Sequence, residues 1–454
     1  MSKTPNPLQQ GIVRQTGIVK RLLKASVCVP VLIIAACSSN GNNGSNNPVV
    51  SANDNPQKQV GLLLPLSGRN GALGNNMMQA AKLALSDPSA PKLDVFDTEQ
   101  AGGASEAARK AIAAGDGIIL GPLTATNTTE VASVTSASNV PVIAYTSDVS
   151  VAGPNVWAFG VTPEQQVLTM VRAAKNEGKT KFAALLPENP MGKAMGSALT
   201  RACADLGLAQ PMIAYHTASK DDITQQLKTL SNYDARVQDA QNHPEAQNTA
   251  KPSTDNSNNN NDGNLLDELA PSGSTASTSK DDTKNLALGN PPFDALLLSD
   301  TGLQLQSVID ALDETQVSST KVRIMGPGLW SAFASKLGKL QGAWYASPNP
   351  QKRHFFAQQY RAKYGVAPKP LADLTYDTAA LANSLSKIGG YTSQNLMRTD
   401  GFDGVDGLFI LQADGHVKRD LQIFQIQPSG GAKMITTPSV VKPTTTATNT
   451  TTHS

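Results

Sequence analysis

Gly117-Ile118-Ile119-Leu120-Gly121-Pro122-Leu123-Thr124-Ala125-Thr126-Asn127-Thr128-Thr129-Glu130 starts as an apolar, partly β-branched run, turns through Gly-Pro, and continues as a hydroxyl-rich stretch that leads into a helical pattern. A buried strand, a tight turn and a helix start, in that order, form the βα half of a parallel-sheet unit. At such a junction the first backbone N–H groups of the helix have no intrahelical partner and the helix dipole is positive, so the turn suits a carboxylate or another anion. Threonine and serine also stand there purely as helix caps. Taken by itself the segment admits both readings.

The same alternation extends in both directions. Val60 to Leu64, Leu93 to Phe96, Val140 to Ala144, Phe182 to Leu186, Met212 to Tyr215, Ala295 to Leu298, Val322 to Met325 and Ala343 to Tyr345 read as strands. Met77 to Leu85, Ser105 to Ala114, Glu130 to Ala137 and Glu164 to Asn176 carry apolar residues at helical spacing. The chain is therefore expected to be α/β, built of βαβ units with parallel sheets, and its 454 residues, 39% hydrophobic, suffice for two lobes. Ligands on such sheets sit at the carboxyl ends of the strands. Ser67-Gly68, Thr124-Ala125-Thr126 and Thr146-Ser147-Asp148 all fall at such ends.

The N-terminus has a different character. Lys3, Arg14, Lys20, Arg21 and Lys24 occur in the first 36 residues with no acid, and Ala25 to Ala36 is an apolar run of 12. That run is too short to span a bilayer and reads as the core of a signal peptide. It ends in Ile34-Ala35-Ala36-Cys37, which resembles a bacterial lipobox and implies removal of residues 1–36 and lipidation of Cys37. Without residues 1–36 the chain has 33 basic and 36 acidic residues, a net charge of −3, so no basic patch argues for nucleic acid. Cys37 and Cys203 would be the remaining cysteines, and no internal disulfide is expected because a lipidated Cys37 cannot pair. Cys203 stands four residues after Leu199 and reads as a small core thiol.

Residues 37–59 are rich in Asn, Gly and Ser and read as a tether with a reach of roughly 25 Å. Residues 236–290 contain Asn258-Asn259-Asn260-Asn261 and are expected to be a disordered insertion, with Leu265-Leu266 and Leu269 its apolar island. Residues 431–454 are expected to be a disordered tail. His216, His243, His354, His416 and His453 show no metal-ligand spacing, and neither a nucleophile elbow nor a P-loop is present. No metal, cofactor or enzymatic activity is expected.

Val60-Gly61-Leu62-Leu63-Leu64-Pro65-Leu66-Ser67-Gly68, Ile119-Leu120-Gly121-Pro122-Leu123, Val140-Pro141-Val142-Ile143-Ala144-Tyr145-Thr146-Ser147-Asp148, Phe159-Gly160-Val161-Thr162-Pro163-Glu164 and Gly404-Val405-Asp406-Gly407-Leu408-Phe409 occur in that order. Together they resemble the type I periplasmic-binding family, and most nearly its lipoprotein branch of penicillin-binding protein activators, related to the leucine/isoleucine/valine-binding proteins. The resemblance implies two α/β lobes, each a mostly parallel sheet flanked by helices, joined by three crossovers near Phe159 to Thr162, Ala346 to Pro350 and Gly401 to Gly404. Lobe one would comprise residues 58–159 and 348–402, and lobe two residues 160–347 and 403–430, carrying the insertion.

The resemblance also implies a cleft. In amino-acid-binding relatives a hydroxyl and backbone amides after the third strand hold the α-carboxylate, which points here to Thr124, Ala125 and Thr126, with Ser147 and Asp148 assisting and Ser67 at the first strand tip. Ala125 occupies the place of the customary serine. Met191 stands where an aromatic would close over the ligand, and Gly328 where an acid would pair with the α-ammonium, unless Asp148, Glu188 or Asp300 replaces it. The family offers two roles: a regulatory lipoprotein contacting an envelope enzyme such as a peptidoglycan synthase, or a solute-binding protein that delivers a small polar ligand to the permease of an ABC importer. Ser38 after Cys37 implies the inner leaflet of the outer membrane.

Overall fold

The computed structural model describes residues 58–243 and 286–435. β1 (Gln59–Leu64), β2 (Leu93–Asp97), β3 (Asp116–Leu120), β4 (Val142–Ala144) and β5 (Val156–Ala158) form a parallel sheet in the order β2-β1-β3-β4-β5. Side chains alternate across it, as a sheet covered on both faces requires. Val60, Leu62 and Leu64 enter one core with Ile118, Leu120 and Ile143, while Leu63, Ile119 and Val142 enter another. α1 (Gly71–Ala84) and α10 (Ala372–Ser386) supply Met77, Ala81, Leu381 and Leu385 to the first core. α2 (Gly103–Ala114) and α3 (Ala125–Thr135) supply Ala104, Ala108 and Val131 to the second.

The second sheet runs β15-β14-β10-β9-β8-β6-β7, comprising β6 (Phe182–Pro187), β7 (Met212–His216), β8 (Ala295–Leu298), β9 (Arg323–Gly326), β10 (Trp344–Ser347), β14 (Gln422–Ile426) and β15 (Ala432–Ile435). Its pairs are parallel except β10 with β14 and β14 with β15. Alternation recurs: Leu185, Leu296 and Ile324 pack with α6 (Lys220–Leu230) and α8 (Gly302–Glu314), whereas Leu186, Leu297 and Met325 pack with α4 (Pro163–Asn176) and α5 (Pro190–Asp205). Cys203 is buried in that second core.

The chain passes from β5 to α4, returns from β10 to α9 (Pro350–Tyr364), and passes back last from β13 to β14. Tyr360 of α9 donates to the Asn76 carbonyl of α1 at 3.2 Å, which holds the returning segment on the first lobe. After α11 (Ser393–Leu396) a small antiparallel sheet follows, β11 (Phe402–Gly404), β12 (Gly407–Leu411) and β13 (Val417–Arg419).

Four expectations change. The third passage lies between Arg419 and Gln422 rather than at Gly401 to Gly404, because Phe409, Leu411 and Val417 are buried in one core with Leu62, Phe159 and Leu381. Residues 236–243 and 286–290, expected within a disordered insertion, belong to the folded lobe: α7 (Tyr233–Asn242) runs through Arg236, which is buried, and Leu288 is buried as well. The tail expected from residue 431 contributes β15, paired to β14 from Ile423↔Ile435 to Ile426↔Ala432. The tether, expected to reach residue 59, gives way by Gln59, which opens β1; Cys37, residues 1–57, Leu265, Leu266 and Leu269, and residues 436–454 lie outside the described residues.

Candidate functional site

Three neighbouring strand tips of the first sheet bring together most of the expected residues. At the β1 tip the Ser67 hydroxyl donates to Asp97 Oδ2 at 2.7 Å and the Leu66 amide donates to Oδ1 at 2.8 Å. Burial opposes ionisation of Asp97, but the amides of Glu99 and Leu66, the Ser67 hydroxyl and the Gln100 side chain together hold its pKa down to about 2. Asp97 thus organises this tip, and Ser67 is committed to it. Sequence reasoning missed this acid, which ends β2 and meets the β1 tip only because the two strands pair.

At the β3 tip, Gly121 has a φ of +95° and an added Cβ would lie 2.2 Å from the Leu63 carbonyl oxygen, so only glycine lets the chain turn this close to β1. The Gly121–Pro122 bond is cis. Thr124 caps α3, its Oγ1 accepting from the Asn127 amide at 3.2 Å. The cap reading therefore holds for Thr124. Ala125 and Thr126 form the first turn of α3, where amides have no intrahelical acceptor. Thr126 is exposed. The β4 tip is tied alongside by the Tyr145 amide donating to the Pro122 carbonyl at 2.9 Å. Ser147 is exposed there, while Asp148 Oδ1 accepts from the Ser150 amide at 3.0 Å and from its hydroxyl at 2.6 Å. Asp148 is thus a turn cap.

The second sheet presents a different surface. Met191 is exposed at the start of α5, which Asn189 caps through the Gly192 amide at 2.8 Å. Leu303 and Leu329, after the β8 and β9 tips, are exposed too. Asp300 is buried rather than presented: Oδ2 faces His216 Nε2 at 3.3 Å, and its backbone carbonyl accepts from the Trp330 indole at 3.0 Å. His216 Nδ1 lies 2.7 Å from the Thr217 carbonyl oxygen, so Nδ1 carries a proton. Burial works against a charged imidazole, yet the bonds to Asp300 and Thr217 and the nearby Asp222 outweigh it and raise the His216 pKa.

Gly328, where the resemblance expects an acid, is closed. Its amide donates to Gln166 Oε1 at 2.6 Å, and an added Cβ would lie 2.7 Å from the Ala346 carbonyl oxygen and 3.1 Å from Gln166 Oε1. A carboxylate side chain cannot stand there without moving backbone. Gln166 and His216 escaped sequence reasoning because their roles depend on partners distant in the chain. The tips of the first sheet therefore expose Thr126 and Ser147, and those of the second expose Met191, Leu303 and Leu329, with no free carboxylate at Gly328 or Asp300.

The periplasmic binding protein family profile matches residues 57–432. Among curated proteins none matches this sequence. The C-domain of LpoA (YraM) from Haemophilus influenzae, a regulator of PBP1A, has a similar structure, with TM-score 0.55 and 17% identity over 83% of this chain and 100% of that one. Of the full-length Haemophilus influenzae LpoA the match spans 59%, with 84% of this chain, at 17% identity and TM-score 0.55. A branched-chain amino acid ABC transporter periplasmic ligand-binding protein from Burkholderia xenovorans gives TM-score 0.52 and 14% identity over 83% of this chain and 94% of that one. The profile covers the first sheet, the second sheet up to the start of β15, and all three passages between them, so the chain belongs to the periplasmic binding protein family.

Proposed function

We propose that the protein is a non-catalytic regulator of a periplasmic envelope enzyme, that this enzyme is a peptidoglycan synthase, and that acyl chains on Cys37 anchor the protein to the inner leaflet of the outer membrane. The observation that carries this reading is the closed position at Gly328, with its amide held by Gln166 and no space for a side chain, together with Asp300 turned inward onto His216. A buried ammonium without a counter-charge costs several kcal/mol, on the order of the effective penalty for an unpaired ion, so a free amino acid is disfavoured unless Glu188, exposed just after β6, meets its ammonium. The fold of a domain named as a regulator of PBP1A supports the same direction. Cross-linking and pull-down from membranes carrying the full chain should enrich a peptidoglycan synthase, and Cys37→Ser should abolish both membrane retention and enrichment. No synthase among the captured proteins would overturn the reading.

A second reading, delivery of a small anionic or polar ligand to an ABC permease, is favoured by the exposed Thr126 and Ser147 beside the first turn of α3. Calorimetric titration with amino acids, amides and short carboxylic acids tests it. For any ligand seated in the cleft, Thr126→Ala with Ser147→Ala should weaken binding about tenfold or more, the loss expected for a hydrogen bond to a charged group. Unchanged affinity in that double variant would place the ligand elsewhere.

A further inference from the structure

A cavity of about 230 Å³ lies beside the passages between the lobes; it touches the β4-tip turn at Val149 but includes neither Thr126 nor Ser147. One wall is formed by the first turns of α4 and the last turns of α5, the other by residues 412–419, which make the β12–β13 turn and β13. Both walls are held firmly. Thr162 and Gln165 form a reciprocal capping box at 3.3 Å in each direction, and Gln165 Nε2 reaches across to the Val417 carbonyl oxygen at 2.6 Å. In the opposite wall the Ala158 amide donates to the Gly415 carbonyl at 3.1 Å, and Gly415, at φ +82°, lies where a Cβ would come within 2.3 Å of the Val156 carbonyl oxygen.

The charges lining this cavity are of both signs: Arg201, Asp205, Asp414 and Lys418 stand exposed at its mouth, and Asp414 meets His416 Nδ1 at 3.3 Å. Glu164 Oε2 is buried without a hydrogen-bond partner, whereas the buried Arg419 is already engaged, donating from Nη2 to the Phe159 carbonyl and stacking on the Phe159 and Phe409 rings. Arg201 and Asp205 stand one helical turn apart on α5, a spacing at which opposite charges ordinarily meet. Among the described residues neither forms an ion pair, and nor does Glu164 or Lys418. A purely anionic guest would face Glu164, Asp205 and Asp414, and a purely cationic one Arg201, Lys418 and Arg419. Only a molecule with both charges at separate ends satisfies both sets. Leu168 and Ala202 between them offer an apolar floor for a short aliphatic body. At about 30 Å³ per water in the liquid, the space equals several waters, enough for a molecule the size of a dipeptide.

We propose that this cavity is a second ligand site, separate from the cleft, for a small zwitterion of dipeptide size, its ammonium at Glu164 and its carboxylate at Arg201 and Lys418. Because the walls come from both lobes, the bound molecule stabilises one angle between them and thereby sets the opening of the cleft. The test is calorimetric titration of the full chain with alanyl-alanine, with succinate and putrescine as singly signed controls. Alanyl-alanine should bind, each control at least tenfold more weakly. Arg201→Ala and Glu164→Gln should each reduce alanyl-alanine affinity tenfold or more with an unchanged melting temperature, and Lys418→Ala supplies an exposed substitution should Glu164→Gln unfold the protein. Thr126→Ala with Ser147→Ala should leave this binding unchanged. Absence of binding, equal binding of a control, or loss of binding in the cleft double variant but not in Arg201→Ala would each overturn the proposal, and none of these outcomes bears on the synthase partner.

Discussion

Asp116 opens β3 with its carboxyl wholly buried beside that of Asp94. Its Oδ2 would lie 2.8 Å from a Cβ on Gly61, which explains why β1 carries glycine in the middle of an apolar run. Burial first, and the neighbouring Asp94 second, push the Asp116 pKa up to about 7, against a weaker pull from Lys92. The folded state therefore holds this proton above the unfolded value of about 3.9. The associated stability is complete below about pH 4, declines as the pH rises to about 7, and is absent above that. Asp116→Asn, which never ionises, should be more stable than the parent by roughly 2 to 4 kcal/mol at pH 8 and nearly equal to it at pH 4, as read by denaturant melts at both pH values. Equal stability at pH 8 would show that Asp116 ionises freely. Nothing in the sequence marks this residue, since a charged side chain before a buried strand ordinarily points to water. Ser67, Thr124 and Ser147 were legible because strand tips follow from periodicity, whereas Asp97, Gln166 and His216 gain their meaning from partners distant in the chain.

Among the elements, α7 shows how a polar sequence can be anchored. Arg236 donates from Nε to the Gly289 carbonyl at 2.9 Å, from Nη1 to Thr315 at 3.0 Å and from Nη2 to Gln316 at 3.3 Å, clasping both chain segments that flank residues 244–285. Arg236→Ala should cost about 2 to 4 kcal/mol, from lost charge-assisted bonds and stranded carbonyls, and should expose residues 233–242 to limited proteolysis. Arg236→Lys should recover only part of this, because one ammonium cannot span three carbonyls as a planar fork does. A melting temperature unchanged in Arg236→Ala would mean that α7 is held by other contacts. Composition hid α7: its polar surface reads as a linker, and the contact that fixes it comes from Gly289 and beyond. The long parallel strands were legible from dense apolar runs. β5, with three residues, and β11 to β15, with alternating polar positions and antiparallel partners, carry too short a pattern to stand out.

At the scale of the molecule, Arg419 sits where the chain makes its last passage, its Nη2 donating to the Phe159 carbonyl of the first passage at 3.0 Å and its guanidinium stacked 4.5 Å from the Phe159 ring. First and last passages are thus fastened to each other, and the lobes meet at a junction assembled from segments far apart in the chain. The two cores are divided in the same way. Val60 and Leu62 share a core with Leu381, Phe409 and Val417, and Ala183 and Leu185 share one with Phe424 and Ile426. During synthesis neither core is whole before Val417 has been added, and the second waits for Ile426. The growing chain consequently leaves the ribosome with apolar strands that have no completed lobe to enter, a state vulnerable to aggregation until the last strands are added.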